Sequence, residues 1–151
     1  MPRTGTKVRS RGGVAPAPGS SRSHATLTLR VELGKYGRLG PGKVRLLELI
    51  QEHGSIAAAG RAMGMSYRRA WLLVDGLNQT FRQPLVATQH GGAGGGRAEL
   101  TAFGHGIVRR YREMEDVAER TAARHLRALT RALAAAPPAL ANNEMPDDDR
   151  S

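Results

Sequence analysis

Along the chain the apolar residues switch between a period of two and a period of three or four, and each switch marks an element. Leu27, Leu29, Val31 and Leu33 alternate with polar residues, which predicts a half-buried strand over residues 26–33. Residues 34–40 contain three glycines and read as a loop, after which Pro41 is placed to open a helix as its first residue. That helix is predicted to run to about His53, where Gly54 stops it. Val44, Leu47, Leu49 and Ile50 form its apolar stripe, Leu46 lies at the margin, and Lys43, Arg45 and Glu48 are left for solvent. Further on, residues 85–89 and 97–100 are strand-like and flank His90-Gly91-Gly92-Ala93-Gly94-Gly95-Gly96, which predicts a hairpin. Thr101 is placed to cap a long helix reaching Ala135, along which Phe103, Ile107, Tyr111, Met114, Ala118, Ala122, Leu126, Leu129 and Leu133 recur every three or four residues.

Residues 54–71 carry the most specific local pattern. Ser55 and Ser66 are each placed to cap a helix by accepting a hydrogen bond from an otherwise orphan N–H. Gly64 falls where the first of these helices must end and the chain must turn, a position that favours φ > 0. Ala59, Met63, Met65, Ala70 and Leu73 fall where two helices crossing steeply over a short turn touch, and Gly60 falls at the crossing, where a missing side chain allows close backbone approach. The second helix is predicted to continue through Val74 and Leu77 to about Thr80. Trp71, at helical spacing from Tyr67, Val74 and Asn78, reads as part of the core or its edge, with a DNA contact as the alternative.

An alanine-rich helical hairpin shares much of this pattern, and charge separates the two. Tyr67, Arg68 and Arg69 occupy the first turn of the second helix, the part that a helix-turn-helix points at base edges. A purely structural helix more often carries acids there, because its N-terminus is the positive end of the dipole. A helix-turn-helix followed by a β-hairpin is a winged helix, so the fold class is mainly α with a small β-hairpin and a long C-terminal helix. The glycines keep the wing tip thin, and His90, Gly91, Gly92 and Arg97 are placed to meet phosphate or the minor groove. A tip that touches nothing is the alternative. A nucleotide-cradling P-loop is excluded, because the Gly-Lys-Ser/Thr ending is missing and a strand follows.

Composition narrows the partner. The chain has 151 residues, 40% hydrophobic and 4% aromatic, which is enough for one modest core. With 23 Lys+Arg against 13 Asp+Glu its formal net charge is +10, which favours a polyanion. Residues 1–26 hold Arg3, Lys7, Arg9, Arg11 and Arg22 without an acid and read as a disordered basic arm; residues 136–151 read as a disordered tail. Residues 27–101 are then the winged helix-turn-helix domain and 102–135 the long helix. Cysteine is absent, so no disulfide or thiolate site is expected, and no stretch is long and apolar enough to cross a membrane. The expected location is the cytoplasm. A winged helix is too small to cover the whole stripe of the long helix, so Ile107, Tyr111, Met114, Ala118, Leu126 and Leu129 are expected to pack on a second copy, with Arg109, Arg110, Arg112, Glu113, Glu115 and Asp116 solvated.

Gly54-Ser55-Ile56, Gly64-Met65-Ser66-Tyr67-Arg68-Arg69-Ala70-Trp71, Leu77-Asn78, Pro84-Leu85-Val86, Gly91-Gly92 with Gly94-Gly95-Gly96, and Leu100-Thr101 with Gly104 together resemble the DNA-binding domain of the ModE family, the molybdate-responsive transcription regulators. The resemblance covers residues from about 27 to 120. It implies a winged helix related to the LysR type, a homodimer formed through the long last helix, and operator binding at molybdenum-related genes. Gly60 departs from the alanine usual in the family. The family's molybdate-binding barrel repeats are expected after the long helix, and nothing beyond residue 135 could form one. The expectation is therefore a regulator without its own ligand-sensing domain, answering to a separate sensor protein or sharing operators with a full-length family member.

The leading expectation is a sequence-specific regulator of double-stranded DNA in which Ser55, Ser66, Tyr67, Arg68 and Arg69 approach the duplex, Arg68 foremost because arginine paired to guanine is the commonest specific contact. The alternatives are a molybdate-binding or molybdenum-handling protein and a non-specific architectural DNA-binding protein. An enzyme is not expected: the Ser, His and acidic residues form no recognisable nucleophile set, His24, His53, His90, His105 and His125 have no metal-ligand spacing, and no cofactor is implied.

Overall fold

The computed structural model describes residues 24–89 and 96–135. In chain order these form β1 (Val31–Glu32), a 3-10 turn (Gly34–Tyr36), β2 (Arg38–Leu39), α1 (Pro41–His53), α2 (Ile56–Ala62), α3 (Tyr67–Thr80), β3 (Val86–Gln89), β4 (Arg97–Leu100) and α4 (Ala102–Ala132). The result is a winged helix-turn-helix: helices with two small antiparallel strand pairs and a long final helix. The basic arm up to residue 23, the tail from 136, and the wing-tip residues His90, Gly91 and Gly92 lie outside the described residues.

The helix limits follow from their terminal residues. Pro41 stands first in α1, and Gly54 ends it at φ +74° while donating its N–H to the Ile50 carbonyl at 2.8 Å. Leu46, expected at the margin of the stripe, is fully buried together with Val44, Leu47 and Ile50. α1 is covered on more than one side, by α2, α3, α4 and β4, so a single stripe understates its buried surface.

The alternation over 26–33 produces a shorter ladder than expected. Only Val31 and Glu32 pair, with Leu39 and Arg38, because the segment read as a loop turns back on itself: Gly34 and Gly37 take φ +62° and +96°, and Arg38–Leu39 supply the partner strand. Residues 24–30 instead lie against α4. The Ala25 N–H donates to Thr130 Oγ1 at 2.8 Å, and the Tyr111 hydroxyl donates to the Leu29 carbonyl at 2.6 Å. The period of two still has its cause in burial, since Leu29, Val31 and Leu33 pack against the core.

The wing is fastened at three places. The Ala98 N–H donates to the Gly54 carbonyl at 2.9 Å, and the Leu100 N–H donates to Gln51 Oε1 at 3.1 Å, so β4 is joined to the end of α1. Asn78 holds the approach from α3: its Oδ1 accepts from the N–H groups of Leu85 and Val86 at 2.8 and 3.1 Å, and its amide donates back to the Val86 carbonyl. Thr101 caps α4 by accepting from the Gly104 N–H at 2.9 Å and also donates its hydroxyl to the Pro84 carbonyl at 2.6 Å. Gly104 is pressed against the Leu85 carbonyl so closely that a Cβ would overlap the oxygen.

Two residues expected at a dimer contact belong to the domain's own core. Tyr111 is fully buried and Ile107 packs against the same cluster. They are covered by α1 and the residues before β1, which come to α4 from far away in sequence. Arg112 and Glu48, both expected in solvent, form a two-point ion pair: Nε to Oε1 at 2.7 Å and Nη2 to Oε2 at 2.9 Å, with Arg112 Nη1 on Glu115 at 2.6 Å. The expected extension of α4 to Ala135 stops at Ala132, where the Leu133 backbone turns extended. Among the described residues no helix is long and apolar enough to cross a membrane.

Candidate nucleic-acid interface

The reading unit is built by close packing of α2 on α3. Ser55 Oγ accepts from the Ala58 N–H and Ser66 Oγ from the Arg69 N–H, each at 3.1 Å, so both hydroxyls act as caps that fix where the helices begin. Gly64, at φ +69°, makes the turn between them. At the crossing, a Cβ on Gly60 would lie 3.0 Å from the Ala70 Cβ, tighter than side chains ordinarily pack, so glycine here lets the two helices cross closely. The bare Gly60 backbone therefore meets the Ala70 side chain directly, and α2 and α3 cross without a spacer.

From that crossing α3 projects its first turn into solvent. Tyr67 is 60% exposed, Arg68 and Arg69 are exposed, and the turn holds no acidic residue. Among the described residues the ion pairs lie elsewhere, at Arg30–Glu32, Arg45–Glu48, Arg112–Glu48 and Arg112–Glu115. The positive helix terminus and its two arginines thus add their fields at an exposed surface.

Between α2, the start of α3 and the wing lies an open cleft of about 550 Å³. Ser55, Tyr67 and Arg97, singled out from the sequence, border it. Ser66, Arg68 and Arg69 are not part of its lining and stand on the outward side of α3. His90, Gly91 and Gly92 lie outside the described residues. Sequence reasoning missed Arg61, Thr88 and Gln89, which also line the cleft. Their only signal was the polar end of β3 and the solvated side of α2, which marks exposure but not direction. Trp71 is 45% exposed and lines the same cleft, so it belongs to this surface more than to the core.

The ionic contact between α1 and α4 supports this frame from behind. Its hydrogen bond from Arg112 holds the Glu48 carboxyl below the ordinary carboxylate range against the opposing effect of burial, with Arg45 adding to the lowering. The same bond holds the Arg112 guanidinium more firmly protonated. Burial pushes the Tyr111 hydroxyl upward, so it remains the neutral donor to Leu29.

Residues 42–105 match the family model described as bacterial regulatory helix-turn-helix protein, lysR family. The molybdenum-pterin-binding protein MopA of Rhodobacter capsulatus is 46% identical over 71 residues, covering 47% of this chain and 27% of MopA. The molybdenum transport protein ModE of Azotobacter vinelandii is 36% identical over 96 residues, 64% of this chain and 35% of that protein. The DNA-binding transcriptional dual regulator ModE of Escherichia coli K12 is 34% identical over 85 residues, 56% of this chain and 32% of the regulator. The chain spans about a third or less of the length of these relatives. Matched residues 42–105 run from the start of α1 through α2, α3 and the wing to the first turn of α4, and over this region the chain is similar to the bacterial lysR-type helix-turn-helix and to ModE.

Proposed function

We propose that this protein is a cytoplasmic, non-enzymatic transcription regulator that binds specific sites on double-stranded DNA as a homodimer, at genes related to molybdenum. The observation that carries the DNA-binding reading is the first turn of α3, where Tyr67, Arg68 and Arg69 stand exposed on an acid-free helix start beside the wing. Arg68 reads a guanine, Ser66, Tyr67 and Arg69 place the helix in the major groove, and Ser55, Arg97 and the wing residues His90, Gly91 and Gly92 meet the backbone. Arg3, Lys7, Arg9, Arg11 and Arg22 add non-specific phosphate contacts.

The dimer reading rests on the outer half of α4. Met114, Val117 and Leu129 are exposed there, Leu133 is exposed just past its end, and Leu27, Ala118 and Ala122 help to line an apolar groove along the helix. A second copy covers this stripe, with residues 102–135 as the joining element and 27–101 as the reading domain. The molybdenum assignment rests on the names of the relatives, ModE and MopA, and is independent of the geometry.

Selection from a random duplex pool tests the reading. Enrichment of one palindrome supports specific, dimeric recognition, whereas uniform retention of unrelated duplex supports an architectural role. Arg68→Ala is expected to weaken the selected site by about 1–3 kcal/mol and to relax preference at one or two base pairs. Arg97→Ala is expected to weaken selected and unrelated duplex equally, with a shallower salt dependence.

A further inference from the structure

α3 buries Ala70, Val74 and Leu77 on one side. At 3.6 residues per turn, the opposite side passes through Arg68, Leu72 and Gln79. Leu72 is 52% exposed on that outward row; Trp71 stands beside it, and Tyr67 one turn before Trp71. A face meant only for water carries polar side chains, yet three large apolar ones stand within residues 67–72.

What surrounds them separates this patch from the exposed apolar residues of α4. Arg68 and Arg69 adjoin it on the same helix, and Arg61 and Arg97 line the cleft that Tyr67 and Trp71 share. The nearest acid on α3 is Asp75, whose carboxylate accepts a hydrogen bond from the Gln79 amide at 2.8 Å. A cationic rim selects a polyanion, and an apolar centre then needs an apolar group within that polyanion. On the major-groove edges of duplex DNA that group is the C5-methyl of thymine.

We propose that Leu72, flanked by Trp71, reads thymine methyl groups in the major groove and is a specificity-determining residue of this domain. The inference rests on the DNA-binding reading above and deepens it. Leu72 follows Arg68 by one helical turn on the same row, about 6 Å further along the axis. The thymine therefore lies within about two base pairs of the guanine that Arg68 reads. Trp71, turned toward the cleft, closes the side of the methyl contact nearest the wing and keeps water from it.

The test replaces each thymine of the selected duplex, one at a time, by deoxyuridine, which removes the methyl group and leaves base pairing intact. Affinities are measured for the full chain, for Leu72→Ala and for Arg68→Ala. At one or two positions the full chain is expected to lose about fourfold in affinity, the factor for one methyl-sized group removed from water. Leu72→Ala is expected to bind the thymine and uridine duplexes equally, while Arg68→Ala keeps the preference for thymine. Uridine tolerated everywhere by the full chain, or a preference that persists undiminished in Leu72→Ala, overturns the inference and leaves DNA binding standing. A pool that enriches no site overturns both. The uridine series on the unsubstituted chain requires no variant to fold.

Discussion

From Ala102 to Arg112, α4 lies against its own domain, whereas from Glu113 onward residues of similar spacing face outward. Gly104 and Tyr111 are buried and Ile107 packs on the core, but Met114, Val117 and Leu129 are exposed. The two halves share one apolar periodicity in sequence. They differ in what covers them: α1, β4 and Leu29 reach the first half, whereas among the described residues the second half meets Leu27, which borders its groove, and Ala25, which bonds to Thr130. An apolar stripe states that a surface is to be covered and says nothing about whether the cover comes from the same chain.

The inner half is broken most sharply at its closest approach. Gly104→Ala drives a Cβ into the Leu85 carbonyl, where backbone on both sides leaves nothing flexible to yield. Thermal unfolding is expected to show a loss of about 3 kcal/mol or more. An unchanged melting temperature would mean that α4 shifts freely on the wing and is not anchored there.

The outer half responds to the opposite kind of change. Leu129 is 58% exposed, so Leu129→Glu is expected to leave the isolated domain's stability within about 0.5 kcal/mol, as surface substitutions do. Sedimentation is expected to show self-association weakened at least about tenfold, or roughly 1.4 kcal/mol. Equal association of both proteins would remove this stripe from the proposed dimer.

Smaller changes sharpen the boundary between the halves. Tyr111→Phe deletes the hydroxyl that donates to the Leu29 carbonyl, at an expected cost of about 1 kcal/mol. Hydrogen exchange should quicken in residues 24–30 and change little in α3. Unchanged exchange in residues 24–30 would mean that Tyr111 matters through its ring alone.

Glu48→Gln weakens the ion pair with Arg112 at the end of the covered half. The pair is partly exposed, so the expected loss near neutral pH is at most about 1 kcal/mol. Because the folded carboxyl is lowered from 4.5, its contribution is fully present above that value and disappears as pH falls through the lowered one. Stability of the native chain should therefore fall more steeply below about pH 4.5 than that of Glu48→Gln. Parallel curves would show that the pair contributes nothing to folding.

What could be read without coordinates was local. Ser55, Ser66 and Thr101 as caps, Pro41 as a helix start, and Gly54 and Gly64 as left-handed turns depend on atoms within a few residues, and each stands where its chemistry demands. The hairpin and the Gly60–Ala70 crossing were legible for the same reason, because short connections leave few arrangements. Of the candidate interface, the exposed start of α3 was readable, but Arg61, Thr88 and Gln89 were not, since they join Tyr67 only when the wing docks on Gly54 and Gln51.

Contacts across long stretches of chain were decided only by the tertiary structure. The sequence determined that Tyr111 is apolar-faced, that Arg112 and Glu48 are charged, and that Leu27, Leu29, Val31 and Leu33 alternate. It did not determine that Tyr111 closes onto Leu29, that Arg112 grips Glu48, or that Trp71 opens to a cleft and not to the core. Periodicity encodes which side of an element avoids water. The partner on that side depends on how far the chain must close a loop to reach it, and on which competing surface excludes more water when it does.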